Sequence, residues 1–194
     1  MKINKFLTVV DYGSKKIRLS IFDKNHKKIY STYENQISDQ NVETKSYKIN
    51  EIIRKAEKNI SDHIEEIVVL YDDPKVTAID LSIKKEFDQK IIVDENILLL
   101  VTEAKKLLQN YHDNLKIMHT IINKFLIDDK EYYQNLDKKL LGKKVIIDFK
   151  FVCIPNNKYS FIEDLFKKNS VQILNLFCTS ITKAITYQKY FKNK

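Results

Sequence analysis

The stretch "LTVVDYGSKKIRLSIFD", residues 7–23, decides the fold prediction for this chain. Two apolar, β-branched runs flank a short Asp-Tyr-Gly-Ser-Lys-Lys segment, and Ile17, Leu19 and Ile21 alternate with polar residues in the second run. Alternation at every second position is typical of a half-buried strand. We therefore predict a β-hairpin whose sharp turn contains Gly13, one of the 2 glycines in the chain.

The turn of this hairpin has two interpretations. It is either a plain turn that needs one glycine or a phosphate site, since glycine lets backbone amides approach a ligand and several convergent amides bind phosphate. In the second interpretation Ser14 adds a hydroxyl and Lys16 balances phosphate charge. Asp11, at the strand end, would hold Mg²⁺ through water, because magnesium keeps much of its hydration shell. Spacing alone leaves both interpretations open.

The rest of the chain alternates between strand and helix patterns. Before Pro74 we predict a third strand, a polar surface loop over residues 34–47, a helix and a further strand. The apolar residues at helical spacing are Ile49, Ile52, Ile53, Ala56 and Ile60. Beyond Pro74 we predict a strand, a helix, a strand or bent pair of strands, a polar loop to Gly142 and a long strand, in the segments 76–85, 95–111, 116–128, 129–142 and 143–155. Asp94 is the expected N-cap of that helix. Another helix near 158–169, a buried strand and a last helix from about Thr179 follow.

Two prolines mark the expected domain boundaries. Pro74 and Pro155 lie where one set of elements ends and another begins. We predict one α/β domain formed by residues 1–73 and 155–194, interrupted by a small α+β insertion over residues 74–154.

The composition is that of an ordinary globular protein of 194 residues with a net charge of +8. Its Lys-Lys pairs are spread along the chain instead of being gathered with aromatic residues, so we expect a solvated basic surface and no nucleic-acid partner. Cys153 and Cys178 lie in apolar runs, which predicts buried free thiols in a reducing cytoplasm. No signal peptide or membrane-spanning run is expected.

The remaining candidate residues favour structural roles. The four histidines share no spacing of metal ligands; they are His26, His63, His112 and His119. Asp72-Asp73 and Asp128-Asp129 are interpreted as solvated turns, because adjacent carboxylates do not converge on one substrate. We predict no catalytic residue in this chain.

Four segments resemble a known family in order and spacing. Asp11-Tyr12-Gly13-Ser14-Lys15-Lys16 resembles the first phosphate motif of actin-like ATPases and is most similar to the "D-I-G-[ST]-x-K" pattern of FtsA, the bacterial cell-division actin homologue. The other three segments are "IMHTIINKFLIDD", "LLGKKVIIDFKFVCIP", which places Gly142 at the family's glycine, and "FIEDLFKKNSVQILNLFCTSITKAITY". Together they extend from about residue 5 to residue 190.

The resemblance implies an actin-like (ribonuclease-H-like) subdomain 1A interrupted by subdomain 1C, which has the strand-helix-strand-strand fold named SHS2. It implies an ATP-binding protein that polymerises and tethers the FtsZ ring to the membrane. The implied partners are FtsZ, other division proteins and further copies of the protein, contacted through the SHS2 insertion. The implied location is cytoplasmic, at the inner face of the membrane at the division site, with membrane contact through a C-terminal helix.

The chain departs from the family pattern in several places. It stops at Lys194, where the family continues into a strand and a second glycine-rich phosphate loop, so the loop, the adenine pocket and the C-terminal helix lie outside it. Tyr12 replaces a usual Ile, Tyr71-Asp72 a usual Ser-Gly and Ile122 a usual Pro. Half a nucleotide site predicts that ATP and Mg²⁺ bind weakly or not at all, and that this chain alone is not an enzyme although the family has weak ATPase activity at most.

Three alternatives stay open beside the FtsA-type hypothesis. They are an SHS2-containing interaction module without nucleotide binding, a PilM-like pilus assembly protein, and a sugar kinase or phosphatase of the same superfamily. The segment "HTIINKFLID" favours FtsA over the last two. The joint presence of Asp11 and Ser14 favours it over the interaction module.

Overall fold

The computed structural model describes residues 6–36, 42–88, 91–132 and 140–192. The elements in chain order are β1 (Leu7–Tyr12), β2 (Lys16–Phe22), β3 (Lys28–Asn35), α1 (Val42–Ile60), β4 (Glu66–Tyr71), β5 (Thr77–Glu86), β6 (Ile91–Ile92), α2 (Asp94–Tyr111), β7 (Leu115–Ile127), β8 (Lys130–Tyr132), β9 (Leu140–Leu141), β10 (Lys144–Pro155), α3 (Asn156–Lys167), β11 (Gln172–Cys178) and α4 (Thr179–Lys192). The chain divides into a first unit, Met1–Pro74 with Asn157–Lys194, and a second unit, Lys75–Asn156.

The first unit contains a five-stranded mixed sheet with the order β11-β4-β1-β2-β3. β1 and β2 form the predicted antiparallel hairpin, whereas β4 runs parallel to both β1 and β11. Alternate side chains on β1, β2 and β4 are buried. The inward faces of α1 and α3 supply the helical part of the core: Ile49, Ile52, Ile53, Ala56, Ile162, Leu165 and Phe166. Because β1, β4 and β11 are parallel, their carboxyl ends meet at one edge of the sheet.

Helix α1 begins earlier than the sequence predicts. The expected surface loop over residues 34–47 is wrong in its last part, because the helix begins at Val42; residues 37–41 lie outside the described part of the chain. The first two turns carry no buried apolar residue, so hydrophobic spacing gives no signal there. Glu43 in the first turn interacts favourably with the helix dipole.

The second unit contains a four-stranded sheet with the order β5-β10-β7-β8, and all its neighbouring strands are antiparallel. Helix α2 covers one face, and Leu100, Ala104 and Leu108 pack against alternate side chains of β10, such as Phe149 and Phe151. β6 and β9 form a separate two-stranded sheet. The main elements β5, α2, β7 and β10 follow the predicted order of strand, helix, strand and strand.

Asp94 is not the N-cap of α2, contrary to the sequence prediction. The cap position is Val93, and its backbone N–H donates to Oδ1 of Asn96 at 3.0 Å. Asp94 is instead the first helical residue, where its negative charge faces the positive end of the helix dipole. One-residue differences of this kind depend on the approach of the preceding chain, which the local sequence pattern does not record.

Candidate functional site

The β1–β2 turn is closed by a short backbone contact. The Gly13 N–H donates to the Lys16 carbonyl at 3.0 Å. Gly13 does not have a positive φ, so a left-handed backbone is not the reason for the glycine. A Cβ atom at Gly13 would lie 3.1 Å from the Lys16 carbonyl oxygen, which is tighter than an ordinary van der Waals contact. Glycine is therefore favoured here because it allows the two backbone segments to approach closely.

Gln36 holds this turn from the far end of β3. Its backbone N–H donates to the Lys15 carbonyl at 2.8 Å, and its side-chain Nε2 donates to the Gly13 carbonyl at 3.0 Å. Sequence reasoning missed Gln36, because no local pattern indicates a contact made across 23 residues. These two hydrogen bonds hold the Gly13 and Lys15 carbonyl groups toward Gln36.

The backbone amides at the tip of the turn are available to a ligand. Ser14 and Lys15 are exposed, and neither amide donates a hydrogen bond to any described residue. An anion that met both amides would satisfy groups that solvent alone now serves. The phosphate interpretation needs two amides that point to one ligand, and it stays a prediction for this turn.

Asp11 lies directly across the hairpin from Arg18. The two residues are register partners, and Arg18 Nη1 is 3.9 Å from Asp11 Oδ2. The Asp11 side chain is 36% exposed, so it remains accessible to solvent. A hydrated magnesium ion could contact this carboxylate, but it would share it with the Arg18 guanidinium. Sequence reasoning did not identify Arg18, although its position on the next strand makes it the cross-strand partner of Asp11.

Lys16 lies on the same face of the sheet as Asp11. Its ammonium group is 4.7 Å from the centroid of the Tyr33 ring on β3, a cation–π contact at an exposed site. Such a contact is weak enough to exchange for a phosphate, and the ammonium lies beside the turn. The structure brings Asp11, Gly13, Ser14 and Lys16 together at one end of the hairpin, while their roles toward a ligand stay predictions.

A pair of tyrosines lies at the carboxyl ends of β1 and β4. The rings of Tyr12 and Tyr71 are 5.8 Å apart, and both residues are buried. Among the described residues the Tyr12 hydroxyl has no hydrogen-bond partner of standard geometry. Burial raises the pKa of Tyr12 to about 12, and the nearby Gln36 side chain offsets only part of that increase.

The Tyr71 hydroxyl, by contrast, donates to Oδ2 of Asp73 at 2.9 Å. Burial and then the Asp73 carboxylate raise the pKa of Tyr71 well above its ordinary value. The Asp73 side chain is only 7% exposed and lies 3.6 Å from the Lys158 ammonium group. The prediction that Asp72-Asp73 forms a solvated turn is therefore wrong for Asp73.

Asp72 is exposed, as that prediction expects, and its carboxylate in addition caps a helix. Its Oδ1 accepts hydrogen bonds from the Ser180 N–H, the Ser180 hydroxyl and the Cys178 thiol, each at 3.1 Å. Burial favours the neutral carboxyl, but these donors outweigh it and lower the pKa of Asp72. Ser180 lies in the first turn of α4, so a protein carboxylate already occupies the helix end that would otherwise attract an anion.

The second predicted turn does lie at the surface. Asp128 and Asp129 are exposed and both have positive φ, 47° and 66°, in the two-residue turn between β7 and β8. The Asp128 carboxylate accepts the backbone N–H groups of Lys143 and Lys144 at 2.8–3.2 Å. These hydrogen bonds lower the pKa of Asp128.

Other chemistry is limited in the described part of the chain. Within residues 6–36, 42–88, 91–132 and 140–192, no three His, Cys, Asp or Glu side chains are placed to hold a metal ion together. Both cysteines are buried, and neither forms a disulfide bond. No helix among the described residues is long and apolar enough to cross a membrane. Phosphate binding at the β1–β2 turn and a magnesium ion at Asp11 therefore stay predictions.

Comparisons with known proteins identify structural neighbours but no sequence family. No family model and no curated protein matches the chain. A solved structure described as the PilM-PilN type IV pilus biogenesis complex matches at 7% identity and a TM-score of 0.61, over 89% of this chain and 47% of the other. A protein of unknown function with an actin-like ATPase fold from Bacteroides thetaiotaomicron VPI-5482 matches at 13% identity and a TM-score of 0.40, over 96% and 58%.

These likenesses concern the fold. The chain is a mixed α/β protein with two principal sheets, and it shares its fold with part of the PilM-PilN structure. It spans about half the length of the PilM-PilN structure that it matches. At these identities the neighbours assign no activity or partner to this chain.

Proposed function

We propose that this chain is the N-terminal half of an actin-like adaptor of the FtsA type, which binds ATP, polymerises and tethers the FtsZ ring to the membrane. The observation that carries the proposal is the β1–β2 turn, where the exposed amides of Ser14 and Lys15 lie beside Asp11 and Lys16. This is half of a phosphate site, and its residues are those that resemble the family's first phosphate motif.

In this proposal the first unit is subdomain 1A and the second unit is the SHS2 subdomain 1C. The order of β5, α2, β7 and β10 supports the SHS2 assignment. FtsZ and later division proteins would be the partners, at the cytoplasmic face of the division septum. Membrane attachment would be made by a C-terminal helix, as the family resemblance implies.

A PilM-like pilus assembly protein is the second candidate. The observation that favours it is the likeness to the PilM-PilN structure, which extends over 89% of this chain. In that case the partner would be a PilN-type protein instead of FtsZ. The half-site at Gly13 is compatible with both candidates.

Calorimetric titration with MgATP tests the nucleotide site. If a complete site had micromolar affinity, about −8 kcal/mol, half of its contacts would leave a dissociation constant of about 1 mM. We therefore expect millimolar binding or none from this chain. A low-micromolar dissociation constant would contradict the view that the site is half complete.

Sequencing the transcript past the Lys194 codon provides the second test. We expect the reading frame to continue into an apolar strand and an Asp-x-Gly-Gly loop, and the longer product to bind ATP with micromolar affinity. A Ser14→Pro variant, which removes one of the two exposed amides, should weaken that binding. Asn157→Pro, in the first turn of α3 where a helix tolerates proline, is the matched substitution elsewhere. A longer product that binds no ATP would instead support an interaction module without nucleotide binding.

Partner binding separates the two adaptor candidates. Purified FtsZ and purified PilN from the same organism would be passed over the immobilised longer product. Binding of FtsZ alone supports the FtsA-type function, and binding of PilN alone supports the PilM-type function.

A further inference from the structure

Strand β5 is an exposed edge of the second unit's sheet. It is the end strand in the order β5-β10-β7-β8 of the described residues, and its ten residues pair with β10 without a register shift. It contains no proline. Long edge strands without bulges or prolines present backbone groups that can pair with another strand.

Charges along β5 are arranged symmetrically about Ser82. Asp80 lies two residues before Ser82 and Lys84 two residues after it, all three on the polar face of the sheet. If a second β5 pairs antiparallel about a two-fold axis at Ser82, Asp80 of each copy lies opposite Lys84 of the other. Opposite charges at directly opposed positions stabilise a sheet.

Neighbouring registers lack this complementarity. An axis at Ile83 places Asp80 opposite Glu86, a repulsive pair, and an axis at Leu81 places Lys84 opposite Ala78. With the axis at Ser82, Leu81 lies opposite Ile83 on the other face, where both residues belong to the apolar side of the strand. Of these three registers, the one about Ser82 is the register that pairs opposite charges.

Helix α2 supplies apolar surface beside the same edge. Glu103 of α2 forms an ion pair with Lys85 of β5, which identifies the side of the helix that lies near the strand. Leu99 and Leu107 are one turn before and one turn after Glu103, on the same side of the helix, and are 45% and 41% exposed. A second copy joined at β5 would bring its own α2 to this side and cover these leucines.

We propose that β5 pairs with β5 of a second copy of the chain, about a two-fold axis at Ser82, to form a continuous eight-stranded sheet. The ion pairs that Asp80 and Lys84 form within one copy do not prevent this pairing of two β5 strands. Asp80 contacts Lys150 at 2.8 Å and Lys84 contacts Glu86 at 3.1 Å, but all four side chains are substantially exposed, so these pairs exchange at little cost. The proposal is independent of the proposed nucleotide function.

Charge reversal with mixing tests the register. In sedimentation-velocity runs over a range of concentrations, Asp80→Lys and Lys84→Asp should each weaken the dimer by about tenfold, because both cross-strand pairs become repulsive. Mixed together, the two variants should restore the dimer, since every cross-strand pair of the heterodimer again joins a lysine to an aspartate. Lys167→Asp on α3 is the control of equal charge change. A mixture that stays as weak as the single variants overturns the proposal.

Cross-linking tests the axis directly. In the proposed register the two Ser82 Cβ atoms lie about 4.5–5.5 Å apart, so a Ser82→Cys variant should form an intermolecular disulfide on mild oxidation. The native cysteines are buried and remain a silent background. Thr102→Cys, on an exposed position of α2, is the control that should not cross-link. A wild-type chain that is monomeric at all concentrations, or a dimer in which Ser82→Cys does not cross-link, refutes the pairing.

Discussion

Gly142 is the position where a single methyl group should disturb the second unit most. A Cβ atom there would lie 2.3 Å from Cγ2 of Ile127 and 3.2 Å from Oδ2 of Asp128. Carbon atoms in contact normally stay about 3.5–4.0 Å apart. Ile127 is 2% exposed and has little room to move. We expect Gly142→Ala to lower the free energy of unfolding by about 1–3 kcal/mol, the usual cost of overpacking.

A double-mutant cycle tests the cause of that loss. Ile127→Leu removes the Cγ2 branch while it keeps the side-chain volume, and should itself cost less than about 1.5 kcal/mol. If the Cγ2 contact is the cause, Gly142→Ala should cost about 1 kcal/mol less in the Ile127→Leu background than in the wild type. Gly13→Ala is the matched substitution in the first unit. Its Cβ would lie 3.1 Å from the Lys16 carbonyl oxygen, so its cost should appear in β1 and β2 and should not depend on Ile127→Leu.

The assay is urea unfolding followed by hydrogen exchange in peptides from β7 and β10. Local detection is needed because the two units can unfold separately, in which case one global transition does not report on Gly142. Peptides from β1 and β2 should be unaffected by Gly142→Ala. If the effects of Gly142→Ala and Ile127→Leu add within about 0.5 kcal/mol, the two groups do not interact and the steric explanation is refuted.

Three further substitutions concern the strand ends of the first unit. In urea unfolding, Tyr12→Phe should leave the free energy of unfolding unchanged or slightly higher, because the buried hydroxyl makes no hydrogen bond of standard geometry with the described residues. A loss above about 1 kcal/mol would reveal a hydrogen-bond partner of that hydroxyl. Tyr71→Phe should cost about 1–2 kcal/mol in the same assay, since a bond to the Asp73 carboxylate is lost, and an effect equal to that of Tyr12→Phe would contradict this. Asp72→Asn should cost about 0.5–1 kcal/mol at pH 7, with Asp164→Asn as control. Folding lowers the pKa of Asp72, so the stabilisation by its carboxylate is complete above the unfolded pKa of about 3.9 and is lost as the pH falls toward the folded value. The difference in unfolding free energy between wild type and Asp72→Asn should therefore disappear in acid. A difference that persists at about pH 2 argues against the ionised carboxylate as its cause.

The regular elements could be predicted because burial imposes a short period on the sequence. Ile17, Leu19 and Ile21 are fully buried on one face of β2, and this alternation identified the hairpin. The early start of α1 had no such signal, since its first two turns carry no buried apolar residue. Hydrophobic spacing thus located elements well wherever they contact a core.

The candidate site was only partly predictable, because its geometry depends on contacts between distant residues. Asp11, Gly13, Ser14 and Lys16 lie close together in sequence and could be named in advance. Gln36 reaches the turn across 23 residues, and Asp72 caps α4 across 108. No local pattern records such pairs. The sequence likewise could not tell whether Gly13 serves a left-handed backbone or a close approach, and the backbone geometry favours the second.

The points where the chain enters and leaves the second unit lie close together, and this bears on how such a protein can arise. Thr77, where β5 begins, is the register partner of Cys153, near the end of β10, so the chain enters and leaves the unit on two hydrogen-bonded neighbouring strands. Directly paired residues in an antiparallel sheet have Cα atoms about 4.5–5.5 Å apart. A segment whose ends are already that close can be inserted into a loop of another domain, or removed and replaced by a short linker, with little change to the host chain's path. The second unit therefore has the adjacent chain ends that an inserted domain needs.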